Sequence, residues 1–197
     1  MTMFPSIRCA AGCGRLAISG SKLCAVHTID ARREAERITA LIQSRQLIRD
    51  LNASNLEFEE RDFSGKEFYE CNFKEACFSK CSFSGATMGI AFFAKASFFD
   101  CDFSQSNLQF ISFAGARFKK TTFEGSTLIN LNFLGAHISD CTFTSTDLYN
   151  SRFINTEIFN SKFNDCNLKR VNFLKSTQTD VTFKLSNTWE AIFEVNE

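Results

Sequence analysis

From Phe58 to Phe193 every fifth residue is apolar with two exceptions. Of these 28 positions, 19 are Phe, four Leu, two Ile and one Met88, and only Gln178 and Thr188 break the series. Two residues before each ring comes a second, mostly small set that includes Cys71, Ala76, Cys81, Ala86, Ala91, Ala96, Cys101, Ser106, Ala116 and Thr121. A period of five suits neither common element. On an α-helix each step of five advances about 500°, so the rings would spiral over every side, and in a straight strand an odd step sends successive rings to opposite faces. The chain must therefore turn a corner once per unit. The small residue and the ring, two apart, then both point inward, and the residues between them point out. The predicted structure is a solenoid whose coils stack at the strand spacing of about 4.8 Å.

A period of 20 gives the number of sides. Positions 63, 83, 103, 123, 143, 163 and 183 are all Phe, as are 73, 93, 113, 133, 153, 173 and 193. The third column reads Phe68, Met88, Leu108, Leu128, Leu148, Leu168, Thr188, and the fourth Phe58, Phe78, Phe98, Phe118, Ile138, Ile158, Gln178. Leu and Ile sort into columns only for four sides; a three-sided coil, with a period of 15, would scatter them. Residues 53–197 are thus expected to form about seven square coils, an all-β solenoid roughly 34 Å long by the ladder spacing. The unit is small-x-Phe-x-x, with Asn or Asp often before the ring, as in Asn72-Phe73-Lys74-Glu75-Ala76 and Asp102-Phe103-Ser104-Gln105-Ser106. It resembles the repeat of the pentapeptide repeat family over about three quarters of the chain. The resemblance implies a right-handed quadrilateral β-helix, and the handedness comes from the resemblance alone.

Residues 1–52 lack the repeat and carry eight Lys/Arg against four Asp/Glu. Within residues 1–28, Cys9 and Cys13 are followed by Cys24 and His27. Three thiols and one imidazole in so short a span match the tetrahedral preference of a structural Zn²⁺, and Gly12 and Gly14 supply the tight turns between them. Four protein ligands leave no open position for a catalytic water. The competing reading is that these cysteines are incidental in a chain with nine. Cys71, Cys81, Cys101, Cys141 and Cys166, however, occupy the small inward slot, where Cys serves as a small hydrophobe, and this separates the two populations. Residues 29–52 change to a helical spacing, with Ala35, Ile38, Leu41, Ile42, Ile48 and Leu51 recurring at three and four and Thr28 or Asp30 available as N-cap. The apolar side of that helix is expected either to cover the open first coil or to pair with a second subunit.

The totals of 22 basic and 22 acidic residues exclude a polybasic arm or an acidic tail as the main theme. Arg8, Arg15 and Lys22 form too small a basic footprint for direct nucleic-acid binding to be expected. No run approaches the ~18 apolar residues of a spanning helix, and the first residues carry no signal pattern, so a cytoplasmic protein without membrane contact is expected. No nucleophile elbow, phosphate loop or paired metal-binding histidines occur, and His137 sits alone on an outward slot, which argues against an enzyme. Function then falls to the outward slots. Ser64, Ser84, Ser104 and Thr144 form a solvated wall, whereas Leu134, Ile154 and Leu174 succeed one another beside Ile129 and Tyr149. That group is the candidate interaction surface for an unidentified protein partner or a second copy; the 29–52 helix and the terminal coil with Trp189 and Ile192 are the other candidate dimer contacts. Some pentapeptide repeat proteins mimic DNA in the saddle of type II topoisomerases such as DNA gyrase, which the resemblance offers as an alternative. A mimic needs acidic charge along the whole rod. Here it is concentrated in Glu57, Glu59, Glu60, Asp62, Glu67, Glu70 and Glu75, and residues 76–197 balance 11 acidic with 11 basic residues.

Overall fold

A computed structural model describes residues 7–194. Helix α1 (Ala31–Gln43) starts at Asp30, whose carboxylate accepts the Arg33 N–H at 2.9 Å, and stops at Ser44, whose N–H returns to the Ala40 carbonyl. It buries Ala35, Ile38, Thr39 and Ile42 over the first coil, so its apolar side is used as a lid. The expected helix ran to residue 52, and the structure corrects this. Gln46–Asp50 is already a repeat unit with Ile in the ring position: β1 (Leu47–Arg49) pairs in parallel with β3 (Glu67–Tyr69), setting Ile48 against Phe68. Ile48 and Leu51 continue the helical spacing of Ile38, Leu41 and Ile42 by coincidence, and both point into the solenoid core.

The remaining chain winds into about seven four-sided coils. One side is a five-stranded parallel sheet in the order β1, β3, β5 (Thr87–Gly89), β7 (Asn107–Gln109), β9 (Thr127–Ile129). The opposite side is a seven-stranded sheet built from β2 (Glu57–Glu59), β4 (Cys77–Ser79), β6 (Ser97–Phe99), β8 (Arg117–Lys119), β10 (His137–Ser139), β11 (Glu157–Phe159) and β12 (Thr177–Thr179). The two other sides are ladders of single bridges, one through Asn72, Phe92, Ser112, Asn132 and Arg152, the other through Asp62, Ser82, Asp102 and Thr122. Every pairing between coils among the described residues is parallel with a register of 20, as the columns require.

The rings fill the interior as stacks. Along one column Phe83, Phe103, Phe123 and Phe143 stack with centroids 4.6, 5.1 and 4.7 Å apart and planes nearly parallel, and rings of adjacent sides meet edge to face, as Phe118 and Phe123 do at 5.6 Å. These are the favourable offset and T-shaped arrangements. The small slot must be narrow because the next ring lies against it. Where it holds a hydroxyl, the polar atom is satisfied inside the core: Ser126, Thr146, Ser151 and Thr156 donate to the carbonyls of Phe103, Phe123, Leu128 and Phe133 at 2.6 to 3.0 Å.

The corners explain how the chain turns every five residues. Each fifth residue from Asp50 to Leu185 has a positive φ, between 42° and 67°. Asn, Asp and Gly accept that left-handed conformation, but Ile90 (φ 54°) is β-branched and strained there. Ile90→Asn is therefore expected to raise stability by about 1 kcal/mol, read as a higher urea midpoint with an unchanged slope. A lower midpoint would mean that the contacts of Ile90 outweigh its backbone strain.

The N-terminal segment is docked onto this array. Ile18 joins the main core, the Asn52 side chain donates to the Ala17 carbonyl at 2.7 Å, and Arg37 of α1 bridges Glu34 and the Ser19 carbonyl, both at 2.6 Å.

Candidate metal centre and exposed walls

The metal-ligand candidates come from two short turns. A bridge between Arg8 and Leu16 closes a hairpin in which Gly12 and Gly14 adopt positive φ, and this sets Cys9 and Cys13 on one side. The second turn, with the His27 and Thr28 N–H groups donating to the Cys24 carbonyl at 3.0 and 2.9 Å, brings Cys24 and His27 opposite. The four donor atoms lie within 4.8 Å of one another. Cys13 Sγ and Cys24 Sγ are 3.8 Å apart, and His27 Nδ1 is 3.5 Å from Cys9 Sγ and 3.6 Å from Cys24 Sγ. A tetrahedral Zn²⁺ with bonds of about 2.3 Å to sulfur and 2.0–2.1 Å to nitrogen has S–S edges of about 3.8 Å and S–N edges of about 3.6 Å. These three edges are compatible with a Cys₃His zinc site, and the Cys13–Cys24 sulfur separation is far beyond the ~2.05 Å of a disulfide.

Cys9 and Cys13 differ from most thiols of the array, though the array's Cys81 is also lowered, by its contact with the Cys101 sulfur. The Cys24 N–H, donating to the Cys9 sulfur at 3.5 Å, brings the Cys9 thiol down to about 6 against the opposing effect of burial. A main-chain hydrogen bond from Arg15 lowers Cys13, burial raises Cys24, and contact with the Cys9 sulfur raises His27. Thiolate character is what metal ligation requires. By contrast, burial pushes Cys71 and Cys141 up to about 12 and Cys166 to about 11, as befits inert packing groups.

Leu134, Ile154 and Leu174 follow one another in successive coils, since their neighbours Asn132, Arg152 and Asn172 are bridged in that order. Leu134 is 43% exposed and the other two are half-buried. Ile129 ends β9, and Tyr149, one coil on, is half-buried beneath Arg170, which lies 5.8 Å from the ring centroid and donates to the hydroxyl at 3.1 Å. His137 stands outside any metal cluster and pairs with Glu157 at 2.8 Å. Reading the sequence by its period overlooked other exposed rings. Phe99, Phe110 and Phe159 point outward, Phe110 at 60% exposure, and Ile90 sits one coil before Phe110 at the same corner. The signal was present: these are Phe residues that fall out of phase with the five-residue series.

A four-sided parallel β-solenoid with a five-residue repeat defines a class of repeat scaffold. This chain belongs to the pentapeptide repeat family: the model of the pentapeptide repeat region matches residues 116–193, and that of pentapeptide repeats in eight copies matches 50–89 and 96–133. No curated protein matches the sequence. Among solved structures it is similar to a pentapeptide repeat protein from the thylakoid lumen of Arabidopsis thaliana, 24% identical, over 55% of this chain and 71% of that one, with a TM-score of 0.41. HetL, involved in heterocyst differentiation regulation in the cyanobacterium Nostoc sp. strain PCC 7120, is 13% identical over 82% of this chain and 96% of its own, with a TM-score of 0.34. Full-length QnrB1, a plasmid-mediated fluoroquinolone resistance protein, is 14% identical over 68% and 84%, also with a TM-score of 0.34. Among the described residues no helix is long and apolar enough to cross a membrane.

Proposed function

We propose that the protein is a non-enzymatic protein-interaction scaffold: a rigid four-sided rod that presents one apolar wall to a protein partner, with a structural Zn²⁺ holding its N-terminal cap. The observation that carries this reading is the run of Leu134, Ile154 and Leu174 in successive coils, flanked by Ile129 and Tyr149. These side chains leave the core by the same alternation that buries Phe133, Phe153 and Phe173. The corresponding slots on another side hold Ser84, Ser104 and Thr144, so the fold does not demand aliphatic residues there. Exposed Ile90 and Phe110 extend the apolar character along the rod.

Ile154→Lys tests the reading. The melting curve is expected to stay nearly unchanged, as for most surface substitutions, while self-association or capture of the cytoplasmic partner weakens by about 1 kcal/mol or more, the loss typical of an interface centre. Undiminished binding by a correctly folded variant would rule the wall out. The DNA-mimic alternative is opposed by Arg117, Lys119 and Lys120, which are exposed together at β8 in the middle of the seven-stranded side. Inhibition of DNA gyrase supercoiling by both the parent and the Ile154→Lys protein would favour the mimic over the scaffold.

A further inference from the structure

The first coil has no coil beneath it, and its sides are finished differently. On one side the N-terminal segment closes the main chain of Asn52: Ser19 N–H donates to the Asn52 carbonyl at 2.9 Å, and Asn52 N–H to Ser19 Oγ at 2.8 Å. On the next side β2 is the outermost strand of its sheet and pairs only with β4. Cys77 N–H donates to the Leu56 carbonyl and Glu60 N–H to the Ser79 carbonyl, both at 2.9 Å. In a parallel ladder the alternate residues, Glu57 and Glu59, turn their N–H and C=O groups the other way. Among the described residues these four groups have no hydrogen-bond partner. Beside them runs a cleft of about 780 Å³, walled by Ala31, Arg32 and Ala35 of α1 and bordered by Glu57, Phe58 and Glu59. An unpaired strand edge at the bottom of a helix-walled cleft is the geometry of strand addition.

The cleft also specifies its occupant. Arg32 is paired with Glu36 and Glu60 with Lys80, and Arg61 also borders the cleft next to Glu60, whereas the exposed carboxylates of Glu57 and Glu59 take part in no ion pair among the described residues. A strand laid along β2 sets its alternate side chains beside these two carboxylates, where Lys or Arg is favoured and an acid repelled. The residue between them faces Phe58 and Ala35, both buried, and needs an apolar side chain. A second copy presenting the same edge would oppose glutamate to glutamate, which argues against self-pairing here. We propose that the open edge of β2 is a strand-addition site for an extended segment of another protein reading basic-apolar-basic. This site is separate from the apolar wall and takes a partner of different chemistry.

The test uses a fluorescein-labelled peptide, Gly-Thr-Lys-Val-Lys-Val-Lys-Thr-Gly, titrated with the full chain and followed by fluorescence anisotropy. The expected result is saturable binding of one peptide per chain, with amide hydrogen exchange slowed at Glu57 and Glu59. The paired variant Glu57→Lys with Glu59→Lys should keep its melting curve and lose affinity by about tenfold or more. A peptide N-methylated at alternate backbone nitrogens keeps its charge but not its ladder donors, and should lose a similar factor. Equal binding by the methylated peptide, unchanged binding by the charge-reversed variant, or protection confined to other amides would each overturn the proposal. So would a failure to bind at about 1 mM peptide, or dimerisation through this edge in light scattering. Ile154→Lys should bind the peptide normally, which keeps this outcome distinct from that of the wall.

Discussion

Phe123→Ala is expected to lower the stability of the rod by about 3–5 kcal/mol. The ring is fully buried, stacked on Phe103 and Phe143 and touched edge-on by Phe118. Truncation removes the transfer free energy of the ring and leaves a cavity that cannot collapse, because the ladders on all four sides fix the coil spacing from both neighbours. Two stacked contacts are lost as well, each worth about 0.5–1.5 kcal/mol beyond area burial. Coils in a solenoid touch only their neighbours, so the damage should centre on the coils of Phe103 and Phe143 and appear as faster amide exchange there before global unfolding. Phe123→Leu should cost distinctly less, since Leu108, Leu128, Leu148 and Leu168 already serve as core residues on an adjacent side. An unchanged urea midpoint for Phe123→Ala would mean that the ring columns do not hold the coils together.

The columns were readable because a five-residue period with inward rings leaves few alternatives, and because the separation of Phe from Leu and Ile at 20 counts the sides. The corners were not readable as such. Their left-handed φ falls on Glu70, Lys80, Ile90, Phe110 and Arg170 as well as on Asn, Asp and Gly, so composition at the fifth position hides a conformation imposed by the ladders on both sides. The start of the array was misjudged for a related reason: Gln46–Asp50 carries Ile in place of Phe, and its spacing continues that of α1. The Cys₃His cluster was readable from spacing alone, since two tight turns suffice to gather its four side chains. Its docking was not, because Ala17 and Ser19 meet Asn52 across more than thirty residues, Ile18 joins the distant solenoid core, and neither leaves a local pattern. The cleft at β2 was hidden too, as it exists only where a helix replaces the missing coil.

Cys24→Ser is expected to abolish metal binding and to loosen the N-terminal end of the rod. Cys24 is the most consequential of the four candidate ligands to remove. It is buried, its N–H donates to the Cys9 sulfur, its carbonyl receives the His27 and Thr28 N–H groups, and its own sulfur lies 3.8 Å from Cys13 and 3.6 Å from His27. Metal analysis of the parent protein should find close to one Zn²⁺ per chain, and the variant should retain almost none. Acid should release the metal from the parent, because each thiolate and the His27 imidazole must be free of its proton to ligate, and the contact that raises His27 makes the proton a stronger competitor there. A segment this small has little core of its own, so loss of zinc should disorder residues 7–28. The effect should not stop there. Ile18 is part of the main core, and Ser19 finishes the open edge at Asn52, so metal removal should also raise amide exchange in α1 and in the first coil. Coils beyond Phe103 are insulated by the stacking between and should keep their protection, leaving the β-sheet circular dichroism nearly intact. Absence of zinc from the parent together with a Cys13–Cys24 disulfide would refute the metal site. Full retention of α1 protection after chelation would show instead that the cap holds without its metal.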